Sequence, residues 1–136
     1  MLDWHPDGER LLFASRRELG QRSSNQFFVV SKFGGMPKKL PLPYGELASW
    51  SPDGKQLAYI TKITENYPFK RYRGGLTSDI LLFDSQKQQV TNLTNSKAID
   101  GKPAWVGDKI YFLSDQDASM RLNIFSLDPR TGTQKQ

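Results

Sequence analysis

The chain is 136 residues long, 37% apolar and 12% aromatic, and its 19 Lys and Arg against 14 Asp and Glu leave a net charge of +5. That length suits one ordinary domain with a core, and a basic excess this small, spread without a block of five or six like charges, answers to solubility, so no nucleic-acid partner is expected. The lack of cysteine excludes disulfides, thiol catalysis and Cys-ligated zinc, and the single histidine excludes multi-histidine metal sites.

The chain opens on Met1-Leu2-Asp3-Trp4-His5-Pro6, without the basic start and apolar run of a secretory signal. No later stretch approaches the roughly 18 apolar residues of a membrane helix, so no membrane partner is expected. Trp4 begins the unit Trp4-His5-Pro6-Asp7-Gly8-Glu9-Arg10-Leu11-Leu12-Phe13-Ala14-Ser15. Pro fixes φ, Asp bonds its neighbouring backbone and Gly takes the left-handed conformation, so Pro-Asp-Gly reverses the chain tightly. The run that follows is short and apolar on both faces, as a strand buried between sheets must be. A third strand, Gln26-Phe27-Phe28-Val29-Val30, ends at the turn Gly34-Gly35, and a more polar fourth follows, Pro37-Lys38-Lys39-Leu40.

The unit then returns as Trp50-Ser51-Pro52-Asp53-Gly54-Lys55-Gln56-Leu57-Ala58-Tyr59-Ile60-Thr61. Its third strand is Asp79-Ile80-Leu81-Leu82-Phe83-Asp84, its turn Ser85-Gln86-Lys87 and its fourth strand Gln89-Val90-Thr91-Asn92-Leu93-Thr94. A third copy has a shortened turn, Trp105-Val106-Gly107-Asp108-Lys109-Ile110-Tyr111-Phe112-Leu113-Ser114. The strand Asn123-Ile124-Phe125-Ser126-Leu127-Asp128 and the turn Pro129-Arg130-Thr131-Gly132 follow, and the chain ends at Gln136, where a fourth strand is expected to begin. Successive Trp residues stand 46 and 55 residues apart, near the roughly 40 to 50 of a propeller blade. A sandwich also has regularly recurring strands, but only a propeller repeats the same Trp and turn once per four strands. The expected fold class is all-β: a β-propeller fragment of about three four-stranded antiparallel blades, at about 1–43, 44–97 and 98–136, the last incomplete.

Few side chains suggest chemistry. A Ser-His-Asp triad would have to use His5, yet Ser51 occupies the same point of the second unit, which makes the position a turn flank. Asp115, Asp117 and Asn123 offer alternate oxygen ligands but lack the glycine and distant Glu of a calcium loop, so they read as a turn. Gly34-Gly35 and Gly74-Gly75 lack the Lys and helix of a phosphate loop. Asn92-Leu93-Thr94 matches a glycosylation acceptor but sits in a rim strand, where the match reads as accidental. No catalytic, cofactor-binding or metal residue is expected. The one candidate is the segment Phe69-Lys70-Arg71-Tyr72-Arg73-Gly74-Gly75, inserted between the second and third strands of blade two. Lys70, Arg71, Tyr72 and Arg73 alternate cations with an aromatic ring, suited to stacking on a peptide or binding its carboxylate. Single-stranded nucleic acid would be held by the same means. In the competing reading, Phe69 and Tyr72 only pack the loop onto the propeller while the Lys and Arg stems cover apolar surface.

The Trp-x-Pro-Asp-Gly-Lys-x-Leu-Ala-Tyr pattern resembles the repeat of TolB-like propellers. Pro68-Phe69-Lys70-Arg71-Tyr72-Arg73-Gly74-Gly75, with Leu40-Pro41-Leu42-Pro43-Tyr44-Gly45-Glu46 before it and Gly107 to Asp115 after it, resembles more narrowly the amino-terminal six-bladed propeller of tricorn-type proteases. The resemblance covers essentially the whole chain. It implies a propeller that guides or filters oligopeptides for a serine peptidase whose catalytic Ser and His lie far downstream, beside a PDZ-like segment. It also implies a cytoplasmic parent, or a periplasmic one if the parent carries a signal peptide. The family holds a peptide's carboxylate with basic residues in a loop just before the segment matching Trp4. Arg16 and Arg17 follow the first hairpin instead, so neither inherits that role. The TolB-like alternative is a protein–protein interaction module. About three blades of six would leave apolar end faces, so the remaining blades or self-association, as a two-fold pair closing the ring, are the expected partners.

Overall fold

The Pro-Asp-Gly turns form as the repeat demands in the computed structural model, which describes residues 1–17, 24–63, 74–75 and 77–136. Gly8 N donates to His5 O and Gly54 N to Ser51 O, each at 2.9 Å, and both glycines sit at φ 69°. In each turn the Asp carboxylate accepts the backbone N–H two residues on, Glu9 at 2.9 Å and Lys55 at 3.1 Å. The flanking strands pair across these turns.

Among the described residues there are strands and no helix, in three four-stranded antiparallel sheets. The first contains β1 (Asp3–Trp4), β2 (Arg10–Ser15), β3 (Gln26–Ser31) and β4 (Lys38–Lys39) in that order. The second is β5 (Leu47–Trp50), β6 (Gln56–Ile60), β7 (Leu81–Asp84) and β8 (Gln89–Asn92). The third is β9 (Asp100–Val106), β10 (Lys109–Ser114), β11 (Asn123–Leu127) and β12 (Gln134–Lys135). Where the sequence suggests that the third blade stops short of its fourth strand, β12 pairs with β11 through Ser126 opposite Lys135 and Leu127 opposite Gln134.

The sheets stack, and strand alternation sends successive side chains to opposite neighbours. Leu57 and Tyr59 of β6, with Phe83 of β7, pack against Leu12 and Phe27 of the first sheet, whereas Ala58 and Ile60 pack against the third with Ile110, Phe112 and Leu127. A strand covered on both sides must be apolar at every position, which is why the run after Pro52-Asp53-Gly54 has no polar alternation. Each fully buried Leu, Ile or Phe contributes about 1.5–3 kcal/mol by leaving water.

A second set of ties joins the first strands of successive sheets. The Asp3 carboxylate accepts the Trp50 backbone N–H at 2.8 Å and the Ser49 hydroxyl at 3.2 Å. Ser49 Oγ in turn accepts the Trp105 backbone N–H at 3.1 Å. In both cases the residue just before one Trp holds the N–H of the next.

Candidate functional site

Four chain segments converge on one end of the first two sheets. Arg16 follows β2, Ser24 precedes β3, Tyr44 and Glu46 precede β5, and Thr61 to Ile63 follow β6. Antiparallel order brings all these termini to the same edge, where they line a cleft of about 490 Å³. Glu46 is fixed at both ends: its N–H donates to Ile60 O at 2.8 Å, and its carboxylate accepts Asn25 Nδ2 at 2.6 Å and Asn25 N at 3.3 Å. Lys62 Nζ donates to Gly75 O at 2.8 Å.

Gly45 explains how Tyr44 and Glu46 reach this position. A Cβ at Gly45 would stand 2.1 Å from Cε2 and 2.3 Å from Cζ of Phe27, which is itself fully buried. Only glycine lets the backbone lie against that ring. In the core cluster Tyr59 packs edge-on to Phe27 at 5.7 Å, and burial pushes its hydroxyl pKa up to about 12, with Tyr44 adding to the effect. Tyr59 therefore stays neutral within the core cluster.

The rim thus carries two cations, Arg16 and Lys62, one carboxylate, Glu46, and the half-exposed phenol of Tyr44. Guanidinium and ammonium groups suit a carboxylate, and a carboxylate suits an amine. Such a set is chemically suited to the charged ends of a chain, and among the described residues neither aliphatic hydroxyl at the rim, Ser24 or Thr61, has an imidazole beside it.

The candidate residues Lys70, Arg71, Tyr72 and Arg73 lie outside the described residues. The insertion's end is tied to the cleft, however, through the Lys62 bond to Gly75 O, and Thr77 N donates to Gly74 O at 3.0 Å. Arg16 and Arg17, adjacent in sequence, part company. Arg16 lines the cleft, while Arg17 lies over the stacked rings of Phe13 and Phe28 at 5.0 and 5.1 Å. Tyr44, Glu46 and Lys62 had no sequence signal as site residues; Tyr44 and Glu46 stood out only within a segment quoted for its family likeness.

His5 is at the opposite end of the strands, in the turn before β2. It is buried, packs edge-on against Trp50 at 4.9 Å and has Nε2 3.3 Å from Gly54 O. Asp117 accepts Ser119 N at 2.9 Å and Asn123 Nδ2 at 2.5 Å, which closes the loop between β10 and β11 as a turn. Asp100, where β9 begins, is wholly buried; its Oδ2 accepts Ser96 Oγ at 3.1 Å, and among the described residues Oδ1 has no hydrogen-bond donor. Burial raises its carboxyl pKa above the usual range, against the opposing effect of Ser114, Thr94 and Ser96.

With this geometry in view, a family model described as the tricorn protease N-terminal β-propeller domain matches residues 1–136. No curated protein matches the chain. Among solved structures, TolB from Acinetobacter baumannii is similar at 20% identity and a TM-score of 0.73, over 98% of this chain and 30% of that one. A TolB homologue from Agrobacterium tumefaciens is similar at 23% identity and a TM-score of 0.72, over 96% of this chain and 43% of that one. A puromycin-hydrolyzing peptidase of Mycobacterium tuberculosis is similar at 14% identity and a TM-score of 0.64, over 93% of this chain and 18% of that one. The chain therefore spans less than half the length of each of these structures, and at such identities the likeness speaks to fold.

Proposed function

The chain belongs to the tricorn protease N-terminal β-propeller family, and on that premise we propose that it is the non-catalytic propeller portion of a tricorn-like serine peptidase, guiding or filtering oligopeptides for an active site elsewhere in a cytoplasmic parent. The observation that supports this reading is the charged cleft between the first two sheets. Arg16 and Lys62 would take a peptide's carboxylate, Glu46 would orient a nearby amine, and Tyr44 would cover the adjoining side chain. The segment Lys70 to Arg73 would extend that contact from the loop anchored at Gly75.

The reading is tested in the full-length parent. Arg16→Ala with Lys62→Ala should raise KM for short peptides and alter the preference for peptide length while kcat stays unchanged, because a guide binds substrate without touching the reacting atoms. Unchanged kinetics on peptides of several lengths would overturn it.

A second reading, a TolB-like module that binds another protein, would use the same propeller fold. The gene sequence that follows Gln136 separates the two. A PDZ-like segment and a serine peptidase region support the first; an immediate stop supports the second.

A further inference from the structure

The two seams between successive sheets are built from the same points of the repeat but are filled differently. In the first, His5 reaches across from the turn between β1 and β2: its ring packs edge-on against Trp50 at 4.9 Å, its Nε2 is 3.3 Å from Gly54 O, and its Nδ1 is 3.1 Å from Asp7 Oδ2. A Cβ at Gly54 would stand 2.6 Å from that imidazole, so the ring lies directly on the turn of the second sheet. Arg10 Nη2 is 3.0 Å from the same Nε2, and Trp50 is buried at 7% exposure.

In the second seam Ser51 stands in the place of His5, Gln56 of Arg10, Trp105 of Trp50, Gly107 of Gly54 and Pro129 of Ser85. Those five residues line a cleft of about 250 Å³, together with Asp53, Asp108 and Arg130. Trp105 is only partly buried there, and a Cβ at Gly107 would meet no described atom within 4 Å. The Ser51 hydroxyl stays within its own turn, donating to Asp53 Oδ1 at 2.6 Å and accepting Gln56 N at 2.9 Å. Asp53 takes Lys55 N through the same Oδ1, as Asp7 takes Glu9 N, so its Oδ2 is the counterpart of the oxygen that meets the imidazole in the first seam. Gly107 O accepts the Trp105 indole N–H at 3.2 Å, and a carbonyl has a second lone pair. Arg130 is answered within its own sheet, 3.6 Å from Asp108 and 3.5 Å from Asp128.

We propose that the cleft of the second seam is a binding site for a histidine side chain of a peptide, which would enter it as His5 enters the first. The ring would lie against Trp105, one nitrogen would give its proton to Gly107 O and the other would meet the Asp53 carboxylate. The chain's own first seam names this occupant, because every group that holds His5 apart from Arg10 has its counterpart around the cleft. Ser51 and Gln56, both shorter than the residues they replace, leave the space.

The test follows the indole N–H resonances of the 136-residue chain as it is titrated with Gly-His-Gly, acetylated and amidated so that it offers the charged cleft no terminal group. Gly-Ala-Gly and Gly-Tyr-Gly, capped in the same way, and 4-methylimidazole are the comparison probes. The His peptide should shift the Trp105 resonance saturably, with a dissociation constant on the order of millimolar, as suits one small ring, and leave Trp50 unmoved. The Ala and Tyr peptides should bind at least about tenfold more weakly, and 4-methylimidazole should compete with the His peptide. Ser51→His, on a Pro-Asp-Gly turn of the kind that already carries His5, should fill the cleft and abolish the shift. Equal binding of the His and Tyr peptides, a Trp105 response to 4-methylimidazole without one to the His peptide, or a response that survives in a folded Ser51→His chain would overturn the proposal.

Discussion

Gly45→Ala should be among the most damaging conservative changes in the molecule, although it adds a single methyl group at a residue with no special φ. The new Cβ would stand 2.1 Å from Cε2 of Phe27, against the roughly 3.5–4 Å at which carbon atoms rest. Phe27 cannot swing away, because it is fully buried among Leu12, Leu42 and Tyr59, and the backbone cannot retreat without lengthening the 2.8 Å bond from Gly45 N to Asn25 O. Overpacking of this kind costs about 1–3 kcal/mol, which for a chain of this size lowers the melting temperature by roughly 3–10 °C. Phe27→Leu removes the ring atoms concerned and costs about 1–2 kcal/mol alone, from lost contact and a residual cavity. The double variant should therefore be at least as stable as Gly45→Ala, with a coupling of about 1 kcal/mol or more in the cycle. Urea unfolding followed by tryptophan fluorescence reads all four proteins. Additive losses, or a Gly45→Ala protein within about 0.5 kcal/mol of the parent, would refute the close approach of backbone to ring.

Other expectations follow from the seams between sheets. Asp100→Asn should stabilise the chain increasingly as pH rises above the ordinary carboxylate range and have little effect below it, because burial raises the Asp100 pKa in the folded state. A raised carboxylate contributes stability below its unfolded pKa and loses it as pH rises through the folded value, so the advantage of Asn must grow with pH. Asp7, Asp53 and Asp84, held low chiefly by Glu9 N–H, the Ser51 hydroxyl and Lys87 N–H, act with the opposite sign, so the difference between variant and parent is the quantity to measure. Ser49→Ala removes both the donor to Asp3 and the acceptor for Trp105 N–H, and should cost about 1–2 kcal/mol in denaturant unfolding; no loss would mean the inner ties are incidental. The outward face of the third sheet leaves Ile124 65% and Val106 60% exposed, while Ala58 and Ile60, the counterparts of Tyr111 and Leu113, are buried against a neighbour. Sedimentation at micromolar concentration should show the chain pairing through this face and the first sheet of a second copy, and Ile124→Lys with Val106→Lys should make it monomeric; a monomeric parent chain would contradict this.

The blade pattern was legible because its signals are local. Trp50-Ser51-Pro52-Asp53-Gly54 specifies a turn by backbone chemistry, and the run Leu57 to Ile60 is apolar at every position because both its faces are covered. β12 was missed because Gln134 and Lys135 carry no apolar alternation and pair only through the backbone. The cleft was illegible for a different reason. Arg16, Tyr44, Glu46 and Lys62 stand at the ends of different strands, and each alone is an ordinary polar residue at a strand terminus. Only the antiparallel order of two stacked sheets makes them neighbours. Gly45 likewise reads as a turn glycine in sequence, whereas its role is to leave space for a ring 18 positions away. The alternating segment at Lys70 to Arg73 drew attention by composition, but the cleft is organised by residues that composition does not single out.

Calorimetric titration of one short peptide, as its free acid and as its amide, tests the peptide-guiding account most directly. The free acid should bind the parent chain about tenfold or more tightly than the amide, and Arg16→Ala with Lys62→Ala should abolish that difference. Equal binding of acid and amide by the parent chain, or a preference that survives the double substitution, would contradict the account.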